Sequence, residues 1–142
     1  RVDEAKQVEP EFHALLAERP GMLQEYQSAI ITEGEWSLMF IAGEFSHAVL
    51  KKPTPGDFRT QEEFGGSTRL ATPEPGLVEL AWRAVRAAES AWLYARVDAV
   101  RSMAGFRLSE LEMLEPGLFF MDDPSAAKRF ARAIRRHLLQ TA

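Results

Sequence analysis

The sequence predicts an α+β domain, a mainly antiparallel β-sheet with helices packed on one face. Three observations predict it. Two pairs of short apolar runs, 36–41 with 45–51 and 93–100 with 108–113, are each joined by a tight glycine-containing connection, the pattern of antiparallel hairpins. Between the pairs lies a segment with helical periodicity, Leu77, Leu80, Ala81, Ala84, Val85 and Ala88 sharing one face. No apolar run approaches the roughly 20 residues of a membrane helix, and the start carries no signal-peptide pattern.

The elements follow in order. Residues 3–18 read as a helix, weaker before Pro10, with a stripe of Phe12, Leu15 and Leu16, ended by Pro20-Gly21. Residues 22–26 read as a short strand that loosens into 27–32. Glu33-Gly34-Glu35 is an acidic turn before the first hairpin. Residues 52–75 read as loop, because Pro53, Pro55, Gly56, Gly65, Gly66, Pro73 and Pro75 all fall there. A loop of that length in a compact domain serves function more often than connection. A helix over 76–91 leads to the second hairpin, which turns at Ala104-Gly105. Asp123 or Ser125 caps the last helix, with Pro124 in its first turn. That helix is expected to bury Ala127, Phe130, Ala131, Ile134 and Leu138, and to leave Lys128, Arg129, Arg132, Arg135 and Arg136 in solvent.

The totals narrow the function. The chain has 142 residues, enough for one domain with its own core. It carries 17 basic and 21 acidic residues, a net charge of −4, which argues against a nucleic-acid binder driven by a basic surface. With no cysteine there is no disulfide frame, thiolate zinc site or cysteine nucleophile. A cytoplasmic location is the default expectation. The chain begins at Arg1, and reads as a piece of something longer.

The chemistry centres on Glu110 and Glu112. In a strand, i and i+2 share a face, so the two carboxylates point one way while Leu111 and Met113 point into a core. Asp98 lies in the partner strand, so three acids can converge. Either they form a solvated strand face, or a divalent metal on hard oxygen ligands offsets their repulsion. The long loop supplies cations: Lys51 and Lys52 at its entry and Arg59 in its middle, with Gly65-Gly66 able to bring backbone close to a ligand or simply to turn. His47 reads as a sheet-face histidine and His13 and His137 as exposed. Trp36, Trp82 and Trp92 read as core anchors. No two histidines have metal-ligand spacing.

These residues resemble the C-terminal half of an ATP-grasp ligase, most of all the bacterial glutathione synthetase branch. That branch has a basic residue closing a strand, then Pro, then Arg, then Gly-Gly, here Lys51, Pro53, Arg59 and Gly65-Gly66. Its later Asp strand and Glu-x-Asn strand correspond to Asp98 and to Glu110-Leu111-Glu112. Arg96-Val97-Asp98 is similar to the Arg-x-Asp strand of ATP-grasp enzymes. Gly34-Glu35-Trp36-Ser37 is similar to the segment after the adenine hinge, which would be Gln24-Glu25-Tyr26. The resemblance runs from about residue 22 to 116. Departures are Glu112 and Gln61 in place of Asn and Glu115 in place of Ser, and they tell against glutathione as the product.

The resemblance implies roles. Asp98, Glu110 and Glu112 would hold one or two Mg²⁺ (or Mn²⁺) ions on the ATP phosphates. Arg59 would be the catalytic cation steadying phosphate and the acyl-phosphate transition state. Lys51 would be a second phosphate or substrate cation, Glu35 would accept from the ribose hydroxyls, and backbone at Glu25 and Tyr26 would read adenine. The reaction would join a small-molecule carboxylate to an amine or other nucleophile, leaving ADP and phosphate. The first nucleotide-clasping subdomain has no counterpart here. The chain is therefore expected to be a single C-terminal subdomain, 1–142, that binds nucleotide weakly, does not catalyse alone, and can form a homodimer through surface left bare. Two other classes stay open: a non-catalytic interaction domain on the same half-fold, and a metal-dependent phosphohydrolase using the same acids. The second lacks the further Asp or His cluster of a two-metal site.

Overall fold

In the computed structural model, which describes residues 5–21 and 24–141, the elements run α1 (Ala5–Glu18), α2 (Ala29–Thr32), β1 (Glu35–Ile41), β2 (Glu44–Lys52), β3 (Ser67–Leu70), α3 (Pro75–Ala87), β4 (Tyr94–Ser102), β5 (Gly105–Glu112) and α4 (Pro124–Thr141). The five strands form one antiparallel sheet in the order β3-β2-β1-β4-β5. This is the α+β architecture that the two hairpins predict. The hairpins lie side by side, joined through β1 and β4, so the central strands come from opposite halves of the sequence.

Alternation decides the two faces. Leu38 and Phe40 of β1, Ala48 of β2 and Ala95, Val97 and Ala99 of β4 point to one side. There they meet Leu77, Ala81 and Val85 of α3, and all nine are essentially excluded from water. The small residues of β4 let α3 approach closely. Phe40 fills the space beside them, with its ring 4.7 Å from Trp82 in an edge-to-face contact. Trp36 and Trp92 pack on the same cluster, so all three tryptophans are core anchors. α3 starts at Pro75, where the missing N–H costs nothing, and ends at Ala87.

Four expectations are revised. The 52–75 segment is not all loop. Ser67–Leu70 adds an edge strand to β2, with Val49 opposite Leu70 and Lys51 opposite Thr68. Its side chains are mostly exposed, so no alternation marks it. Second, the expected strand at 22–26 is not one: Gln24 to Gln27 are irregular, and Met22 and Leu23 lie outside the described residues. Third, α4 is rotated from its predicted face. Ala126 and Ala133 are the fully buried positions, whereas Ile134 and Leu138 are exposed. Phe130 still anchors the helix, perpendicular to Tyr94 at 5.4 Å and beside Phe120. Fourth, Arg129 is not free in solvent. It donates to Asp123 (2.7 Å), Ser125 and Ser46, tying α4 to β2. Asp123 is the N-cap, accepting from the Ser125 amide at 3.0 Å.

Candidate functional site

The face of the sheet turned away from α3 carries the chemistry. β4 places Arg96 and Asp98 there, between the buried Ala95, Val97 and Ala99. The register then selects their neighbours. Asp98 lies opposite Glu110 on β5 and opposite Ser37 on β1, Arg96 lies opposite Glu112, and Glu35 lies opposite Lys51. A bulge in β5 at Ser109 shifts the register between Asp98 and Ala99. Glu110 and Glu112 thus share the face of Asp98, while Leu108 pairs with Ala99 on the α3 side.

These side chains form one ionic chain across four strands. The Lys51 ammonium lies 2.8 Å from Glu35 and 2.9 Å from Asp98. Arg96 Nε donates to the other Asp98 oxygen at 3.0 Å, and its Nη2 lies 2.8 Å from Glu112 and 3.4 Å from Glu110. Asp98 is 2% exposed and Lys51 8%, so both are ions taken out of water and held by partners. The small Ser37 sits opposite Asp98, and its buried hydroxyl has no hydrogen-bond partner among the described residues.

Four carboxylates here face two cations. The imbalance shows at Glu110, whose carboxyl is pushed above its ordinary value by desolvation, then by the charges of Glu112 and Asp98, against the pull of Arg96. Two missing positive charges are what one divalent ion would supply, and hard carboxylate oxygens are its preferred donors. In the arrangement seen, the Arg96 guanidinium holds the place between the acids, and among the described residues no three acids or histidines are grouped to hold a metal. Arg96 was legible only as part of an Arg-x-Asp pattern. The signal for its role was its i−2 spacing from Asp98 on one strand.

The 57–66 loop brings a third cation to the same side. Arg59 is clamped by Asp57, with Nε 3.1 Å from both carboxylate oxygens and Nη2 2.6 Å from one. Its guanidinium stacks over the Phe64 ring at 3.7 Å. Thr60 is buried and donates to Glu35 at 3.0 Å, fastening the loop to the ionic chain. The glycine pair serves the loop itself. Gly65 takes φ +80°, and a Cβ on Gly66 would stand 2.2 Å from the Thr60 carbonyl oxygen, so the close approach is to the loop's own backbone. Gly34, at φ +99°, presses likewise on the Lys51 carbonyl and aligns Glu35 with Lys51.

Four of the residues singled out from the sequence line one cavity. Glu25, Tyr26, Glu35 and Arg59 border a space of about 670 Å³, with Phe58, Thr60, Ile30 and Val100. That is room for a drug-sized or nucleotide-sized ligand. Tyr26 and Phe58 meet edge to face at 6.2 Å on its wall. Lys51 lies behind the cavity wall, paired with Glu35 and with Asp98, and Glu110 and Glu112 lie further along the same face through Arg96. Glu25 itself pairs with Arg107 at 2.8 Å. His47 lies outside the cavity: buried, bonded to Ser46 and to the Leu118 carbonyl, with a pKa lowered by burial. His13 is exposed beside Glu9, and His137 is exposed on α4. No helix among the described residues is long and apolar enough to cross a membrane.

No family model matches the chain, and no curated protein matches it. Among solved structures the chain is similar to the crystal structure of D-cycloserine synthetase DcsG, with a TM-score of 0.70 and 26% identity, over 81% of this chain and 41% of that one. That neighbour is an ATP-grasp ligase. The fold here is therefore ATP-grasp-like, and the chain spans well under half the length of its neighbour.

Proposed function

We propose that this chain is the C-terminal half of an ATP- and Mg²⁺-dependent carboxylate–amine ligase, ADP-forming through an acyl phosphate, and that it supplies metal and phosphate ligands without being active alone. The observation that carries this reading is the cavity bordered by Glu25, Tyr26, Glu35 and Arg59, whose Glu35 heads the chain of ion pairs through Lys51, Asp98 and Arg96 to Glu110 and Glu112. Similarity to an ATP-grasp ligase supports the same reading.

The residues then divide the work. Backbone at Glu25 and Tyr26 reads the adenine edge, and Glu35 accepts from ribose hydroxyls. Arg59 donates N–H bonds to phosphate oxygens and holds the transferring group against the carboxylate substrate, an electrostatic task for a preorganised cation. Lys51 neutralises charge beside it. Asp98, Glu110 and Glu112 would hold Mg²⁺, which offsets phosphate charge when bound. Before it binds, Arg96 keeps these acids from repelling one another. Glutathione synthetases share motif spacings with this chain, and D-cycloserine formation belongs to the structural neighbour. The departures at Gln61, Glu112 and Glu115 favour a different carboxylate and nucleophile from glutathione's.

Calorimetric titration of ADP with and without Mg²⁺, run on the chain and on Glu110→Gln, tests the reading. The expected result is binding that needs Mg²⁺ and is lost in the variant. Binding indifferent to both would remove the metal assignment and favour a non-catalytic interaction domain.

A further inference from the structure

Arg59 is more exposed than the two cations of the ionic chain, its side chain 46% accessible, against 10% for Lys51 and 13% for Arg96. A free arginine side chain in a loop samples many rotamers, and ordering it costs entropy on every binding event. Here that cost is already met. Asp57, two residues before it, turns back on the loop and accepts five hydrogen bonds. The amides of Phe58 and Arg59 donate to its Oδ1 at 2.7 and 3.0 Å. Arg59 Nε donates to Oδ1 and Oδ2, and Nη2 to Oδ2. The side-chain bonds from Arg59, with those backbone bonds, hold the Asp57 carboxyl well below the usual carboxylate range. Phe64 covers one face of the guanidinium.

A guanidinium has two edges that can grip an oxyanion with paired N–H groups in this way, the Nε–Nη2 edge and the Nη1–Nη2 edge. Asp57 takes the first. The second makes no hydrogen bond among the described residues, with the Glu63 charge as its further electrostatic neighbour. On the reading proposed above, we infer that Asp57 is a positioning residue, locking Arg59 so that its Nη1–Nη2 edge is presented to the phosphates of the nucleotide. Asp57 does not touch the ligand. It sets the direction of the residue that does, and Phe64 prevents the guanidinium from rotating out of that plane.

Two substitutions separate the roles of Asp57. Asp57→Asn retains an Oδ1 that can accept from the Phe58 and Arg59 amides, so the turn is kept, but it replaces one carboxylate oxygen with a donor and breaks the fork. Asp57→Ala removes both. Tripolyphosphate, titrated into the chain and followed by NMR of the arginine Nε–Hε signals, reads the result alongside Mg²⁺–ADP binding. Asp57→Asn and Asp57→Ala are each expected to weaken tripolyphosphate binding about ten-fold, the scale of one lost charge-assisted hydrogen bond. The Arg59 Nε signal should sharpen toward that of a free side chain in both. Unchanged or tighter binding in Asp57→Asn would overturn the inference, because Asp57 would then be only a turn cap or a competing counter-ion. The function reading would survive that result as long as the unmodified chain still bound Mg²⁺–ADP. A chain that binds Mg²⁺–ADP but not tripolyphosphate would also overturn the inference alone, and a chain that binds neither would remove both.

Discussion

The two faces of the sheet are built from the same strands and held together in opposite ways. On the α3 side, Leu38, Phe40, Ala48, Ala95, Val97 and Ala99 meet Leu77, Ala81 and Val85 in a dry cluster whose stability comes from area removed from water. On the other side, Glu35, Lys51, Arg96, Asp98, Glu110 and Glu112 hold one another through ion pairs of 2.8–3.4 Å. Residues 95 to 99 contribute to both, alternating Ala, Arg, Val, Asp, Ala. The apolar face is complete as it stands. The charged face is short of positive charge and carries a Ser37 hydroxyl with no hydrogen-bond partner among the described residues, and a raised carboxyl at Glu110. A fold that needed only stability would gain by filling that face with apolar residues. The difference teaches that packing accounts for the first face and not for the second, which is the face the proposed function uses.

The contrast can be broken most severely from the dry side. Phe40→Ala leaves a cavity against Trp82 and Phe45 and should cost about 4 kcal/mol in urea unfolding. A cost below about 1 kcal/mol would mean the α3 face is not the core. On the charged side, Lys51→Met strands Asp98 and Glu35 beside each other. It should cost about 3 kcal/mol, most of it the burial of Asp98 without its ammonium. If instead it stabilises the chain, the ionic chain is no structural element at all.

The smallest effect sharpens the comparison. Glu110 has a folded pKa raised above 4.5, so the folded state holds its proton more tightly than the unfolded chain. Its contribution to stability is then lost as pH rises from about that ordinary value through the raised folded one. Glu110→Gln should therefore raise the midpoint of thermal unfolding at neutral pH by about 1 °C, a small gain because the group is largely solvated. The gain should vanish at pH 4 and reverse sign in saturating Mg²⁺. A variant less stable than the parent at neutral pH without metal would show that Glu110 is held by Arg96 more strongly than it is repelled by Glu112 and Asp98.

Much of this was legible in residue patterns. The hairpins were, because β1 and β4 alternate or run apolar between glycine turns. The convergence of Asp98 with Glu110 followed from pairing the two strands; Glu25, Tyr26, Glu35 and Arg59 were singled out by the resemblance to ATP-grasp ligases, and their place on one cavity is what the fold adds. What escaped has physical reasons. β3 is an exposed edge strand of four residues with no apolar alternation. The buried side of α4 is marked by Ala126 and Ala133, seven apart, where small size permits close packing; a stripe read from bulky residues instead pointed to Ile134 and Leu138. Asp57 and Thr60 owe their importance to the folded loop, which brings Thr60 to Glu35 across 25 positions of sequence. Arg96 is legible only as part of the Arg-x-Asp pattern, because its reach to Glu110 and Glu112 depends on the pairing of β4 with β5.

The most direct test maps a ligand onto the two faces. Mg²⁺–ADP titrated into isotope-labelled chain, with amide and arginine side-chain shifts followed by NMR, should move Tyr26, Glu35, Arg59, Thr60, Asp98 and Glu110 together. Leu77, Ala81 and Val85 of α3 and Arg132 and Arg135 of α4 should stay still. Shifts concentrated on α4, or on α3 with the charged face unmoved, would contradict the account.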